Sequence, residues 1–379
     1  MDRLLTTRFL KPFDPVDRPV LERAWSELSG DLPADADPLK THIGLVWSSE
    51  KLYFARGGQP PVFALVEDGG VPLGLMPMRA LTEPKFGGRF VAIHEHPTRL
   101  SGASVVVRRG QMERVIQTVM RDARKHWKLS SGFSLEGLDP SSALYSAIVE
   151  AVGPFRLMTR VSKKQFFVDL CDYTTIDDYS HSKSRNYRKN LTRGQKRLTD
   201  DGAYEYHHEA PGVRNTFDQM ATIDSHTWRA AEREGDLPAT LLVFCDGLQT
   251  TMRDTAVSQI HALEFKGQPI AMMYTLQVGA RLYAMKHTYE PDYASYQPVI
   301  VLMHHVIQTA LDAGVDYVEL LTGSTHAKTW ADRQHELSQD VVYFASPLGY
   351  ASLTAVRLLR AAKGLRDTIK QKRSKQVQA

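Results

Sequence analysis

Three side chains close together near the carboxy-terminal third of the chain have types suited to moving a proton. Glu319 stands in the run Val315–Leu321, where strand alternation puts Val315, Tyr317, Glu319 and Leu321 on one face. A carboxylate on a buried strand is costly unless paired, and desolvation raises its pKa toward the range useful to a general base. The competing use is a salt bridge with a lysine or arginine from a covering helix, which perturbs a pKa in its own right. His287 sits at the exit of the run Arg281–Thr288. Its imidazole can accept a proton near neutral pH, or act as a hydrogen-bonded structural residue at a strand end. Tyr289, two positions on, can donate a proton to a leaving group or simply pack its ring. No Walker loop, no zinc-ligand spacing and no Ser/His/Asp signature occurs, so no metal is expected.

The elements that must position these groups read clearly. Ile260–Phe265 and Pro269–Val278 are strand-like runs joined by Lys266-Gly267-Gln268, and Arg281–Thr288 follows the turn Gly279-Ala280, an antiparallel meander. Pro298 fits the first turn of a helix over Val299–Ala313, with Val299, Leu302, Met303, Val306, Ile307 and Ala310 on one face. Gly314 stops it, and Val315–Leu321 reads as a buried strand. The order recurs half a chain earlier. Val62–Glu67, Asp68-Gly69-Gly70 and Val71–Ala80 form a hairpin; then come strand Arg89–His94, helix Gln111–Trp127, strand Gly132–Leu138 and helix Ser141–Val152. Strands Phe155–Val161 and Gln165–Leu170 close that half. Gly70-Val71-Pro72-Leu73-Gly74-Leu75-Met76 aligns with Gly267-Gln268-Pro269-Ile270-Ala271-Met272-Met273, which predicts a duplicated unit. Between the halves, helical spacing over Asp177–Gly202 puts Arg185, Lys189 and Arg193 on one face, either a solvated surface or an electropositive wall.

The run Gly314-Val315-Asp316-Tyr317-Val318-Glu319-Leu320-Leu321-Thr322-Gly323, followed by Lys328-Thr329-Trp330, resembles the carboxy-terminal signature of CelD/BioF-like acetyltransferases of the GNAT superfamily. These are relatives of the FemABX aminoacyltransferases. The resemblance spans residues 15–345 loosely and is most specific over Gly267–Trp330. It implies an α/β fold with mixed sheets (α+β) in two pseudo-repeated GNAT-like halves. It also implies an N-acyltransferase moving an acyl group from acyl-CoA, or another acyl thioester, to an amine of a small molecule, sugar or peptide. Residue by residue, it makes Glu319, His287 and Tyr289 the catalytic candidates, and Lys328 with Arg185, Lys189 and Arg193 the donor-binding ones. Trp228 and His226, on a helix over Val213–Arg233, and Tyr283, on a strand bordering the donor gap, become candidates for substrate binding. The chain departs from the pattern in three respects: Ser324 follows Gly323 where the family often has an acidic residue, Ala327 precedes Lys328 where it often has an aromatic one, and the third lies before the helix at Pro298. Tyr293-Ala294-Ser295-Tyr296-Gln297-Pro298 holds no glycine where GNATs bind the coenzyme A pyrophosphate on backbone N–H groups. That departure and the basic helix favour a FemABX-like transferase using aminoacyl-tRNA as the alternative; a carrier-protein donor and a catalytically inactive binding protein are the others.

A net charge of +4 over 379 residues does not by itself imply a polyanionic partner, and no run approaches membrane-spanning length. The amino terminus lacks a signal-peptide core, which predicts a cytoplasmic protein, and Cys171 and Cys245 read as buried free thiols. The expected divisions are 1–175 (amino-terminal half), 176–257 (basic connection and first elements of the second half), 258–345 (carboxy-terminal core) and 346–379. The last comprises a helix over Tyr350–Lys363 and an uncompacted basic tail.

Overall fold

A computed structural model describes residues 5–33, 36–55, 60–83, 87–93, 105–152, 156–211, 216–227, 237–320, 327–344 and 346–377. The first half runs β1 (Thr6–Leu10), α1 (Arg18–Ser29), α2 (Ile43–Ser48), α3 (Glu50–Ala55), β2 (Val62–Asp68), β3 (Val71–Glu83), β4 (Gly88–Ile93), β5 (Val106–Val107), α4 (Met112–His126), β6 (Gly132–Leu138), α5 (Ala143–Val152) and β7 (Arg156–Asp169). Two helices connect the halves, α6 (Ile176–Ser182) and α7 (Arg185–Asp201), with Ser184 capping the second. The second half repeats the order: β8 (Tyr204–Glu209), α8 (Thr216–His226), α9 (Leu237–Thr251), β9 (Val257–Phe265), β10 (Gln268–Val278), β11 (Arg281–Tyr289), α10 (Pro298–Asp312), β12 (Tyr317–Leu320), α11 (Ala327–Trp330), β13 (Arg333–Tyr343), and finally α12 (Pro347–Val377).

All described strands belong to one mixed sheet, in the order β1-β2-β3-β4-β6-β13-β7-β12-β11-β10-β9-β8, with β5 on the side of β3. Read from either end, that order is the same sequence of structural roles. The two halves are a pseudo-repeat, and the match extends to irregularities. The β2–β3 hairpin turns on Gly69 and Gly70 at φ 59° and 87°, the β9–β10 hairpin on Lys266 and Gly267 at φ 54° and 77°. Left-handed φ at both central positions is the turn whose twist suits a two-residue hairpin, and it is what glycine supplies cheaply. Just beyond each turn the register slips by one residue. Leu73 is extra between Pro72 and Gly74 in the first hairpin, and Ile270 between Pro269 and Ala271 in the second. The parallel pairs β4–β6 and β11–β12 also correspond.

At the seam the last strands are exchanged. β7 of the first half lies between β12 and β13, and β13 of the second lies between β6 and β7. This long-range pairing overrides two sequence expectations. The two strands expected over Phe155–Val161 and Gln165–Leu170 are one, because β13 pairs along both and Ser162 is taken up as a bulge between Val161 and Lys163. The expected last strand, Val341–Phe344, begins eight residues earlier, at Arg333, for the same reason. Cys245 is buried as expected, but Cys171 is exposed, since it lies in the 3-10 turn Leu170–Asp172 after β7 rather than in a core strand.

Each half packs its equivalent helix on the same relative face, α4 over β2, β3, β4 and β6, and α10 over β7 and β9 to β12. Beneath α10, buried His261 bonds the Tyr206 hydroxyl at 2.7 Å and Thr275 Oγ1 at 2.9 Å, and Tyr206 also reaches Thr309 at 2.8 Å. Burial, with the neighbouring His208, pulls the His261 pKa down to about 3; burial and His305 pull His304 to about 4. These histidines take up protons near pH 6.5 only when the chain unfolds. The stability these two groups contribute is therefore complete above that pH and is lost progressively as pH falls below it toward their folded values, by about 1.4 kcal/mol per pH unit for each histidine. Urea midpoints measured between pH 7.5 and pH 4.5 should fall on this slope, and His261→Gln should flatten it. Midpoints independent of pH in the wild-type protein contradict the assignment.

Candidate active site

β11 and β12 pair in parallel from Arg281–Ala284 to Tyr317–Leu320, the last described residue of β12, and β11 runs on to Tyr289. That continuation of β11 borders a cavity of about 300 Å³ lined by His287, Thr288 and Tyr289, by Asp224 and Thr227 from the end of α8, by Trp330, and by Gln297–Ile300 at the start of α10. A bulge decides what enters it. β10 pairs Tyr274 with Lys286 and Thr275 with Ala284, leaving Met285 unpaired. The extra residue reverses the alternation beyond it, so the His287 ring meets the edge of Trp330 at 5.9 Å, on the side where α10 packs. Lys286 reaches Asp224 instead, at 2.5 Å, and both are almost wholly buried.

The entrance to α10 is poor in free amides. After the 3-10 turn Pro291–Tyr296, Gln297 adopts φ 55°, and its carbonyl accepts the N–H groups of both Ile300 and Val301. Pro298 has no N–H to offer. The cradle of backbone donors that binds a pyrophosphate in a glycine-rich loop is thus reduced here.

Glu319 lies elsewhere. Val318 and Leu320 face the α10 core, which turns Tyr317 and Glu319 to the other face of the sheet. There they line a cavity of about 810 Å³ at the seam of the two halves, together with Asp37, Lys40, Arg108 and Arg281. The Lys40 ammonium is 3.0 Å from Asp37 and 3.8 Å from Glu319, Arg281 is 3.6 Å from Asp37, and the Tyr283 hydroxyl donates to Asp37 at 2.8 Å. Burial pushes the Glu319 carboxyl up and the Asp37 charge adds to it, against the pull of Lys40 and Arg281. Burial also pushes Asp37 up, but the Lys40 charge, the Lys40 N–H and the Tyr283 hydroxyl outweigh it and hold it below the usual range. Lys40 is raised, because Asp37 and Glu319 overcome its own desolvation. Burial and Asp37 together raise Tyr283 far above its usual range.

The structure therefore brings His287 and Tyr289 to one cavity and places Glu319 and Tyr283 in the charged cluster on the opposite face. Lys328 is exposed on α11, two positions before buried Trp330. Arg185, Lys189 and Arg193 are exposed on α7. That helix leans on the turn before α10: Arg197 donates to the Ser295 carbonyl at 2.9 Å, and a Cβ on Gly194 would stand 2.6 Å from the Tyr296 carbonyl oxygen. The basic helix thus flanks the cavity that contains Gln297 and Pro298. His226, exposed at the end of α8, pairs with Glu290 at 3.0 Å, while Trp228 and Thr322-Gly323-Ser324 lie outside the described residues.

Sequence reading missed three charged groups. Asp224 with Lys286 and Asp37 with Lys40 are the first two; a lysine among the apolar residues of β11 was the available signal for Lys286. The third is Lys183, buried between α6 and α7. It pairs with Asp332, its ammonium lies 4.3 Å from the centre of the Tyr179 ring, and burial pulls its pKa down to about 8. Among the described residues no group of three or more His, Cys, Asp or Glu is placed to hold a metal ion.

Residues 185–329 match the family described as acetyltransferase (GNAT) domain. No curated protein matches the sequence. Among solved structures, FemX is similar over 85% of this chain and 95% of its own, at 10% identity and a TM-score of 0.54. A conserved protein of unknown function from Bacteroides thetaiotaomicron is similar over 89% and 100%, at 14% identity and 0.54. The C-terminal domain of a protein assigned as a lysylphosphatidylglycerol synthetase from Agrobacterium fabrum is similar over 89% and 97%, at 12% identity and 0.54. At such identities the likeness is one of fold, and it extends across both halves. Residues 185–329 are thus an acetyltransferase (GNAT) domain by their family match, set in a chain that shares its fold with FemX along most of its length.

Proposed function

We propose that the protein transfers an acyl group from a thioester, acyl-CoA in the first instance, to an amine, with the reaction centred in the cavity between the end of β11 and the start of α10. The observation that carries this reading is the lining of the cavity: His287 and Tyr289 stand together on β11, opposite the start of α10. An acyl carbonyl seated there would meet an imidazole and a phenol. His287 takes the proton from the attacking amine, and Tyr289 gives one to the departing thiolate, leaving an amide and a free thiol. Alignment of the two reactants in a closed cleft supplies much of the remaining acceleration. The acceptor is assigned to the larger cavity at the seam, where Lys40, Arg281 and Arg108 can hold its polar groups and Glu319 can bind a donor group. The two cavities open on opposite faces of the sheet, so an acceptor held at Glu319 must bring its amine past the described β11–β12 pairing to His287, roughly 13 Å along β11 from Tyr283. Such an acceptor is an extended molecule, for instance a peptide or a sugar derivative.

A second reading, with aminoacyl-tRNA as the donor, is favoured by the amide-poor start of α10 beside the exposed Arg185, Lys189 and Arg193. Donor titrations with acyl-CoA, acyl-carrier protein and aminoacyl-tRNA in parallel separate the two. With acyl-CoA as donor, replacing all three residues by Ala should weaken binding by less than about tenfold, with a shallow salt dependence. With tRNA the loss should be far larger and the logarithm of affinity should fall steeply with that of salt, because each neutralised phosphate releases counterions. Binding of neither donor, with turnover only from the carrier protein, would move the donor assignment to that partner.

A further inference from the structure

The last helix has no part in the site, and its composition sets it apart. Residues 347–377 carry eight Lys and Arg against the single acid Asp367, a net charge of +7 in a chain whose total is +4. The other residues together are therefore slightly acidic, at −3. The sequence alone suggested a helix ending near Lys363 with an uncompacted tail; the helix instead runs unbroken from Pro347 to Val377, about 46 Å at 1.5 Å per residue.

Its first turns are fixed to the body. Buried Ser352 bonds Ser131 at 2.9 Å, Leu353 packs with the cluster of Phe90, Val341 and Tyr343, and Val356 is buried. Beyond Val356 no described side chain of the helix is buried. Every side chain described from Arg357 to Ala362 is exposed, and so is Arg366; Leu358 and Leu359 are 66% and 65% exposed. Two adjacent leucines with so much surface in water, on a segment this basic, are what a bilayer surface rewards. Apolar side chains enter the acyl boundary while lysines and arginines meet anionic headgroups. A nucleic acid would use the charge but leave the leucines in water. The cationic surface also continues beyond the helix. Arg121, Arg124, Lys125 and Lys128 at the end of α4 surround a cavity that includes Tyr343 and Phe344, with Arg124 stacked 5.8 Å from the Phe344 ring, and the Arg360 charge acts on Tyr343 from α12. Among the described residues no helix is long and apolar enough to cross a membrane.

We propose that α12 is a surface-docking helix that holds the protein on an anionic lipid bilayer, lying in its interface rather than spanning it. The test is sedimentation of the full chain with vesicles of phosphatidylcholine alone and of phosphatidylcholine mixed equally with phosphatidylglycerol. Binding is expected to the anionic vesicles only and to decline with salt. It should drop by about tenfold or more when Lys363, Arg366, Lys370, Lys372, Arg373 and Lys375 are all changed to Gln. It should drop several-fold in the Leu358→Ala, Leu359→Ala variant, whose charge is unchanged. These positions lie beyond Val356, the last side chain of the helix described as buried, and circular dichroism checks that the fold is kept. Failure to bind anionic vesicles overturns the proposal. So does binding that ignores the leucine pair and is matched by a duplex oligonucleotide, which would make the helix a general polyanion contact. Concentration-dependent dimerisation abolished by the leucine pair would assign the face to a second copy instead.

Discussion

Replacing His287 by Gln is expected to lower kcat by about 10²–10⁴-fold, the loss typical when a general base is removed, and to leave acyl-donor affinity nearly unchanged. The substitution keeps a polar side chain of similar size against Trp330 and removes the basic nitrogen. An amine nucleophile with a pKa of about 10, like that of a lysine side chain, is almost wholly protonated at neutral pH, so something must take its proton before or during attack. Raising the pH deprotonates the amine unaided and should partly restore the variant. Glu319→Gln is the internal comparison. With its carboxyl in the Lys40–Asp37 cluster, on the other face of the sheet, it should raise the acceptor KM more than it lowers kcat. If Glu319→Gln instead abolishes kcat while His287→Gln turns over at near wild-type rate, the base is the carboxylate and the proposed division of roles is wrong.

The largest effect on stability is expected at Lys286. Its ammonium lies 2.5 Å from Asp224, with side chains 7% and 2% exposed. Lys286→Met deprives a buried carboxylate of its lysine at no great cost in volume, and breaking such a pair by removing one partner typically costs about 3–5 kcal/mol. The double variant Asp224→Asn, Lys286→Met should recover much of that, since two neutral groups in the site need no compensating charge. Urea denaturation of the single and double variants measures both numbers. A Lys286→Met protein within about 1 kcal/mol of wild type would show that the pair is well solvated or easily re-partnered. Because Asp224 and Thr227 also line the cavity, the single variant should lose activity as well, through displacement of the end of α8.

What the sequence disclosed and what it withheld divide along the range of the interactions. Glycines at positions 70 and 267, each two residues before a proline, announce matching hairpins, because a two-residue turn with left-handed φ is a local requirement. The helix over Pro298–Asp312 is likewise local, set by an apolar stripe between a proline and a glycine. The face of Glu319 follows from alternation alone, since β12 is short and regular. Alternation misplaces His287, because a bulge at Met285 reverses the phase, and nothing in Ala284-Met285-Lys286 marks it. The exchange of β7 and β13 was hidden for another reason. Ser162-Lys163-Lys164 looks like a break between two strands until a partner from the far end of the chain supplies hydrogen bonds on both sides of it. Lys40 was invisible for the same cause. Its partner Glu319 comes from the other half, and only the folded sheet brings the two together.

The most direct test of the central claim is the position of the bound donor, determined from the structure of the protein with a non-hydrolysable acyl-CoA analogue. The acyl carbonyl is expected in the cavity between the end of β11 and the start of α10, within hydrogen-bonding reach of His287 and Tyr289, with the phosphates toward Gln297 and the basic face of α7. A donor found in the cavity at the seam, with its carbonyl against Glu319 and Lys40, would contradict it.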